Sequence, residues 1–197
     1  MRMWKNLSRR KKAGIIIGAV VAVSVLALTG VLGVHLYRDV RLSEQVEAGI
    51  VVTAFSDADR QLVLQSIHLP TQEAAVLTEV DCVQGWRDSF TQAIIEVDKT
   101  DHEAFEAALL TQFDRAEDPG RASVGSFFSD RPHYAAITTE NRVGSYRRSV
   151  HDEAVAEIGA YAWGDTVVYA VYVDTVPVDL QPYVKQQIRE DNYVSYK

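Results

Sequence analysis

The sequence predicts an α+β protein, with an N-terminal transmembrane helix followed by one extracytoplasmic domain in which helices come first and an antiparallel sheet after. Three observations support this fold class. An uncharged apolar run extends from Ala13 to Val34, helical spacing of apolar residues dominates residues 56–113, and aromatic and β-branched residues dominate 157–173. Helices and an antiparallel sheet that are segregated along the chain are typical of an α+β domain.

The apolar run is long enough to cross a membrane. At about 1.5 Å per residue it reaches roughly 33 Å as a helix, against about 30 Å for the hydrocarbon layer. A cleaved signal peptide is the alternative, with an apolar region of about 7 to 15 residues and a small-x-small cleavage site. The run here is longer, and its nearest match to such a site, Ala27-Leu28-Thr29, ends in a β-branched residue. We therefore predict an uncleaved transmembrane helix over residues 13–36.

Charge on the two sides of the run predicts its orientation. Residues 1–12 contain six basic residues and no acidic one, and basic flanks stay on the cytoplasmic side. This predicts a single-pass protein of the cell membrane, with a cytoplasmic tail (1–12), a stalk (37–55) and an extracytoplasmic domain (56–197). Beyond the tail, 27 acidic residues stand against 14 basic ones, which argues against a nucleic-acid partner.

Small residues recur every four positions in the apolar run. Gly14, Gly18 and Ala22 share one face of the predicted helix, and such a face allows another helix to approach closely. A homodimer or a partner helix in the membrane would fit there, although glycine is also common in membrane helices for other reasons.

The lone cysteine, Cys82, excludes an internal disulfide, so the domain must be stabilised by its apolar core. We expect Cys82 itself to be a buried, inert thiol.

Helix signals fill the first half of the predicted domain. The first helix, over residues 56–67, has capping residues at its start and a proline soon after its end. The second is predicted over 71–97, where apolar residues recur at helical spacing, and a division into two helices at Gly85 is the alternative. The third begins at Thr100 and Glu103, which have the spacing of a capping box. It carries an apolar stripe of Phe105, Leu109 and Phe113.

Strand signals follow. Residues 123–128 and 134–139 are candidate strands, although 134–137 fits a helical turn equally well. The clearest element is a hairpin of 157–163 and 166–173, because the Gly-Asp pair between them suits a two-residue turn. Its second strand is apolar on both faces, which predicts a central strand covered on both sides. We therefore expect its aromatic residues to lie in the core, and a polar, partly helical tail begins near Asp179.

No motif in the predicted domain identifies a reaction. The sequence contains no Gly-x-Ser-x-Gly nucleophile elbow, phosphate-binding loop, dinucleotide fingerprint or paired-cysteine zinc motif. Histidines accompany carboxylates in residues 98–103 and 151–153, and these are ligand types for a divalent metal. The same residues also suit the first turn of a helix. We expect no resident cofactor, with a divalent metal as the alternative.

One segment resembles a known family. Ser129-Asp-Arg-Pro-His-Tyr-Ala-Ala-Ile137, followed by Arg142-Val-Gly144, is similar to the late signature of the CAP superfamily, which groups cysteine-rich secretory, antigen 5 and pathogenesis-related proteins. The strand 167–173 is similar to the final strand of that family. The resemblance implies an α-β-α sandwich with His133 as one of two cleft histidines and His102 as its partner. These two are the candidate metal ligands.

These observations lead to two hypotheses of function. The first is a non-catalytic, protein-binding or accessory subunit of a membrane or envelope complex, with the lipid bilayer and a membrane or envelope protein as its partners. The second is a CAP-like or metal-dependent domain that acts on a small ligand, a lipid or a cell-wall component. No sequence feature requires an enzyme.

Overall fold

The structure is a computed structural model that describes residues 50–84, 89–150, 153–190 and 194–195. The chain divides into two units, and all of these residues belong to the second, residues 43–197. Within the described ranges, no helix has the length and apolar character needed to cross a bilayer. The predicted tail and transmembrane helix lie outside these ranges, as do Gly14, Gly18 and Ala22.

Eight strands of the described residues form a sheet in which every neighbouring pair is antiparallel. In chain order the strands are β1 (Ile50–Val52), β2 (Ala75–Gln84), β3 (Ser89–Asp98), β4 (Asp114–Arg115), β5 (Arg142–Val150), β6 (Glu153–Trp163), β7 (Thr166–Val173) and β8 (Val194–Ser195). Their order across the sheet is β4-β5-β6-β7-β3-β2-β1-β8. Five long strands make up its body, and β1, β4 and β8 are short.

Helical elements occur between the strands and near the end of the chain. The described residues contain four α-helices: α1 (Asp57–Ser66), α2 (His102–Leu109), α3 (Val124–Phe127) and α4 (Gln181–Glu190). Three short 3₁₀ turns lie between β4 and β5, over Gly120–Ala122, Pro132–Tyr134 and Thr139–Asn141.

The predicted fold class is wrong. The described part of the chain is rich in sheet, and its helices do not precede its strands. The largest error is the helix predicted over 71–97, which instead forms β2 and β3. The helical spacing of apolar residues in this segment spans two strands whose own side-chain period is two, as in Glu79-Val80-Asp81-Cys82. Pairing of β3 with both β2 and β7 buries its β-branched residues and overrides the helical pattern.

Smaller corrections concern three other segments. The candidate strand over 123–128 is the short helix α3. The segment 134–139 contains parts of two 3₁₀ turns, so the helical alternative is the correct one there. Part of the predicted stalk, β1, is paired with β2 within the sheet.

Two of the predicted helices are confirmed, although only one has the predicted start. The side chain of Ser56 accepts a hydrogen bond from the backbone N–H of Asp59 at 3.2 Å, and the Asp59 carboxylate accepts from the Ser56 N–H, so α1 begins with a capping box. Helix α2 begins instead after Asp101, without a side-chain capping bond. The capping box predicted at Thr100 and Glu103 is therefore wrong. The apolar stripe of this helix is buried as predicted.

The predicted hairpin is confirmed as β6 and β7, joined through Gly164 at φ 53°. Its second strand lies between β6 and β3 and is buried from Val167 to Val173, as expected for a central strand.

Alternate residues of β7 define the two faces of the sheet. Tyr169 lies on the face that we name the helical face, where Phe105 of α2 packs on its ring with centroids 4.8 Å apart. Val168, Ala170 and Tyr172 lie on the opposite face, which we name the loop face. There a core cluster joins them to residues of the segment 119–141, namely Ala122, Phe127, Phe128, Tyr134 and Ile137.

Candidate functional site

The two histidines that were predicted as metal ligands lie over opposite faces of the sheet. The Nδ1 atom of His102 is 2.7 Å from the hydroxyl of Tyr169, on the helical face. The ring of His133 packs against Tyr134 and Trp163, with centroids 4.8 and 6.5 Å away, over the loop face. The structure therefore does not bring His102 and His133 together.

No group of three or more histidine, cysteine, aspartate or glutamate side chains in the described ranges is arranged to hold a metal ion. His151 and its neighbour Asp152 lie outside those ranges. A metal at either of the two predicted histidines stays a prediction.

Cys82 and the hairpin aromatics have the predicted core positions. Burial raises the pKa of the Cys82 thiol to about 12, so the thiol is protonated at neutral pH and is a poor nucleophile. Tyr161, Tyr169 and Tyr172 are buried, and Trp163 is half-buried.

A buried arginine ties the segment 119–141 to the sheet. Arg131 is 8% exposed. It donates from Nε to Glu79 at 2.5 Å, from one terminal nitrogen to the carbonyl of Phe127, and from the other to Gln92 at 3.2 Å. Its guanidinium also lies over the Phe127 ring, 4.9 Å from the centroid. This charge is therefore well paired despite its burial.

Asp81 lies near Arg131 and Glu79 but has fewer hydrogen-bond partners than they have. It is 6% exposed, and its Oδ1 atom is buried without a hydrogen-bond partner. Burial raises the pKa of its carboxyl to about 6, with Arg131 lowering it and Glu79 raising it. An ionised carboxylate without donors is costly in such a place, and groups of this kind are concentrated at functional sites.

Tyr134 makes a second polar contact across the loop face. Its hydroxyl donates to Glu96 at 2.7 Å and lies 3.2 Å from the hydroxyl of Thr78. Thr78 is the extra residue of a β-bulge in β2, between Leu77 and Glu79. Bulges interrupt strand pairing, and this one lies just before the residues of β2 that pair with β1.

A groove of about 540 Å³ lies beside the first residues of β2 and is lined by Ala75, Val76 and Leu77. Consecutive strand residues point to opposite faces, so a cavity that contacts all three runs along the edge of the strand. Strand β1 pairs only with residues 80–82. In the described part of the chain, therefore, no strand covers the edge of β2 at residues 75–77.

The walls of this groove combine apolar and acidic groups. Val76 is 55% exposed, and Phe55 lines the same cavity, as do Asp57 and Glu73. Arg60 also lines it, but its guanidinium donates to the carbonyls of Gln72, Glu73 and Ala75 at 3.2, 3.4 and 2.9 Å.

The other long strand near an edge, β5, has a smaller groove. Strand β4 pairs with only two residues of β5, and a cavity of about 230 Å³ lies beside residues 142–145. Arg115 and Arg142 line it together with Glu117 and Val143. Arg115 forms an ion pair of 2.9 Å with Glu106.

The site residues that matter most here were not predicted from the sequence. The alternation of Glu79, Val80, Asp81 and Cys82 was the available signal for a strand, and it would have placed both carboxylates on one face. No local signal joins Arg131 to Glu79, because 52 positions separate them.

Comparison of the chain with protein families, with curated proteins and with solved structures finds no match. The resemblance to the CAP superfamily stays a prediction.

Proposed function

We propose that this protein is a membrane-anchored, non-catalytic binding subunit of a membrane or envelope complex, and that it holds an extended segment of a partner protein along the open edge of β2. The observation that carries the proposal is the groove of about 540 Å³ beside residues 75–77. Its volume is in the range of ordinary ligand sites.

One residue of this edge, Leu77, has backbone groups that are directed towards the groove and available for pairing. Arg60 donates to the carbonyl of Ala75 from the groove wall, so that carbonyl faces the groove but is already bonded, as is the N–H of Ala75, which donates to Gln72. Alternation along the strand directs the N–H and C=O of Leu77 the same way. Unpaired groups of this kind at a sheet edge are what an added strand binds.

Side chains at the edge favour a protein segment as the occupant. Val76 is exposed although it is apolar, and Phe55 adds a second apolar surface in the same cavity. In strand addition, backbone hydrogen bonds give affinity and alternate side-chain contacts give specificity.

The membrane anchor in this proposal rests on the sequence. The apolar run of residues 13–34 and its basic flank support a single-pass protein with residues 37–197 outside the cytoplasm. The positions of His102 and His133 over opposite faces give no support to the alternative of a shared metal or ligand cleft.

Co-purification with a matched pair of variants tests the proposal. The wild type, Val76→Lys and Val143→Lys are extracted in mild detergent, and the proteins that accompany each are identified by mass spectrometry. A lysine on the open edge blocks strand addition, whereas Val143 is a similarly exposed valine in the groove beside β5. We expect one partner with the wild type and Val143→Lys that is lost with Val76→Lys. Recovery of the wild type alone as a monomer, or equal recovery of the partner with both variants, would contradict the proposal.

A further inference from the structure

We infer that the segment held beside β2 is basic, with lysine or arginine side chains that alternate with apolar ones. This inference rests on the proposed function and names the chemistry of the partner. It is carried by the charges that line the groove and by how each of them is paired.

The acidic groups of the groove are free to bind a cation. The carboxylates of Asp57 and Glu73 line the cavity, and neither forms an ion pair or side-chain hydrogen bond with the residues that the structure describes. The positive group in the lining, Arg60, is already engaged by three backbone carbonyls. Arg60 keeps its positive charge, but two carboxylates stand against this one guanidinium, so the net charge of the lining is negative.

Apolar contacts in the groove account for the apolar side chains of the proposed alternating segment. Val76 projects from one face of the strand at the edge and is 55% exposed. A strand laid beside it would place every second side chain on the same face, next to Val76, and the others on the opposite face. An apolar residue fits the positions beside Val76, and a basic residue fits those within reach of Asp57 or Glu73.

Two other occupants are disfavoured by the same charges. If a second copy of this chain paired edge to edge at β2, it would bring its own Asp57 and Glu73 towards those of the first, and like charges repel. The basic residues 1–12 of this chain have the right charge, but the proposed topology places them on the cytoplasmic side of the membrane. A separate protein with a basic extended segment remains.

Peptide binding to the full-length protein in detergent micelles tests the inference. The probes are two fluorescent ten-residue peptides, one of alternating lysine and valine and one of alternating glutamate and valine, measured by anisotropy at low ionic strength. We expect the lysine peptide to bind at least tenfold more tightly. Removing both carboxylates with the double variant Asp57→Asn, Glu73→Gln should reduce that preference to about threefold or less. Added salt should weaken the preference of the wild type for the lysine peptide.

Control variants localise the binding. Val76→Lys should weaken the binding of the lysine peptide at least tenfold, whereas Val143→Lys should leave the affinity for that peptide unchanged within about twofold. Equal affinity for the two peptides, no binding of the lysine peptide, or an unchanged preference in the Asp57→Asn, Glu73→Gln variant would overturn the inference.

A third peptide separates this inference from the proposed function. Methylation of alternate backbone nitrogens in the lysine peptide removes the donors needed for strand pairing but keeps its charge. Loss of binding on methylation, together with equal binding of the unmodified lysine and glutamate peptides, would overturn the basic character and support strand addition. Unchanged binding on methylation would contradict strand addition itself.

Discussion

Strands β2 and β5 lie near opposite edges of the sheet, and each is only partly covered by a short outer strand. Strand β1 pairs with three residues of β2, and β4 pairs with two residues of β5. Beside β5, two arginines line the uncovered part, and charged side chains are a common means of protecting an edge. Beside β2, Val76 and Phe55 line it together with one arginine, Arg60, whose guanidinium is bonded to backbone carbonyls. We propose that this difference leaves the β2 edge, at Leu77, for a partner, whereas the β5 edge is protected.

Buried carboxylates on the two sides of the loop face show a parallel difference. On the β5 side, Glu157 accepts the backbone N–H of Arg121 at 2.9 Å and lies 3.4 Å from a terminal nitrogen of Arg147. On the β2 side, the Oδ1 atom of Asp81 has no hydrogen-bond partner. The carboxylate on the β5 side is therefore hydrogen-bonded, although the Nε atom of Arg147 there has no partner, whereas the carboxylate of Asp81 on the β2 side is left without a donor at Oδ1.

The largest expected effect compares two arginines. Arg131→Ala removes the partner of the part-buried Glu79 and a buried donor to the Phe127 carbonyl, and should cost about 3–5 kcal/mol of unfolding free energy. Arg147 is 43% exposed and only 3.4 Å from Glu157, so Arg147→Ala should cost about 1 kcal/mol or less. Urea denaturation followed by tryptophan fluorescence measures both. Similar losses of unfolding free energy in the two variants would contradict the view that the arginine on the β2 side contributes more to stability than the arginine on the β5 side.

The next largest effect compares the two carboxylates. The pKa of Asp81 is raised from 3.8 to about 6 by folding, so stability should fall as pH rises from about 4 through about 6, by about 3 kcal/mol in all. Asp81→Asn removes this loss and should stabilise the protein by about 2–3 kcal/mol at pH 7.5, with little effect at pH 4.

Glu157→Gln is the matched variant on the β5 side. Because Glu157 has donors, its replacement should destabilise the protein by about 1–3 kcal/mol at pH 7.5. Urea denaturation at pH 4 and pH 7.5 measures all of these values. Destabilisation by Asp81→Asn at pH 7.5 would show that the carboxylate is paired after all.

A glycine on the β5 side should show a smaller effect. Gly120 has φ 56°, and a Cβ atom there would lie 2.2 Å from the carboxylate oxygen of Glu157. Gly120→Ala should therefore cost about 1–3 kcal/mol. Gly125→Ala is the control, because a Cβ at that position meets no atom within 4 Å. Thermal unfolding compares the two, and a neutral Gly120→Ala would mean that Glu157 is not held in place.

The smallest effect on stability is expected at the edges themselves. Val76→Lys and Val143→Lys replace valines that are 55% and 49% exposed, so each should change the unfolding free energy by about 0.5 kcal/mol or less. The same denaturation experiment measures this. A large loss of unfolding free energy in Val76→Lys, but not in Val143→Lys, would mean that the Val76→Lys variant fails to bind a partner because it unfolds rather than because its edge is blocked.

The parts of the fold that could be predicted are those set by local patterns. The capping residues before α1 and the Gly164 turn of the β6–β7 hairpin are recognisable in a few consecutive residues, and both were found. The β2–β3 region was mistaken for a helix because pairing with β7, about 75 positions further along the chain, decides its conformation. Local propensity carries no information about that pairing.

The candidate site was unpredictable for the same reason. The groove exists because β1 ends before it reaches residues 75–77, and Arg60 approaches from a helix that precedes β2. Residue type and resemblance predict the histidine pair, but neither contains the information that a sheet separates the two side chains.

Amide hydrogen exchange of the full-length protein, with and without the lysine–valine peptide, tests the central claim most directly. The open edge of β2 predicts that exchange slows at least tenfold at Leu77 when the peptide is bound, because its N–H becomes part of a strand pair, and that residues 142–145 of β5 are unchanged. Slower exchange at residues 142–145, or unchanged exchange at Leu77 under conditions that saturate binding, would contradict the account.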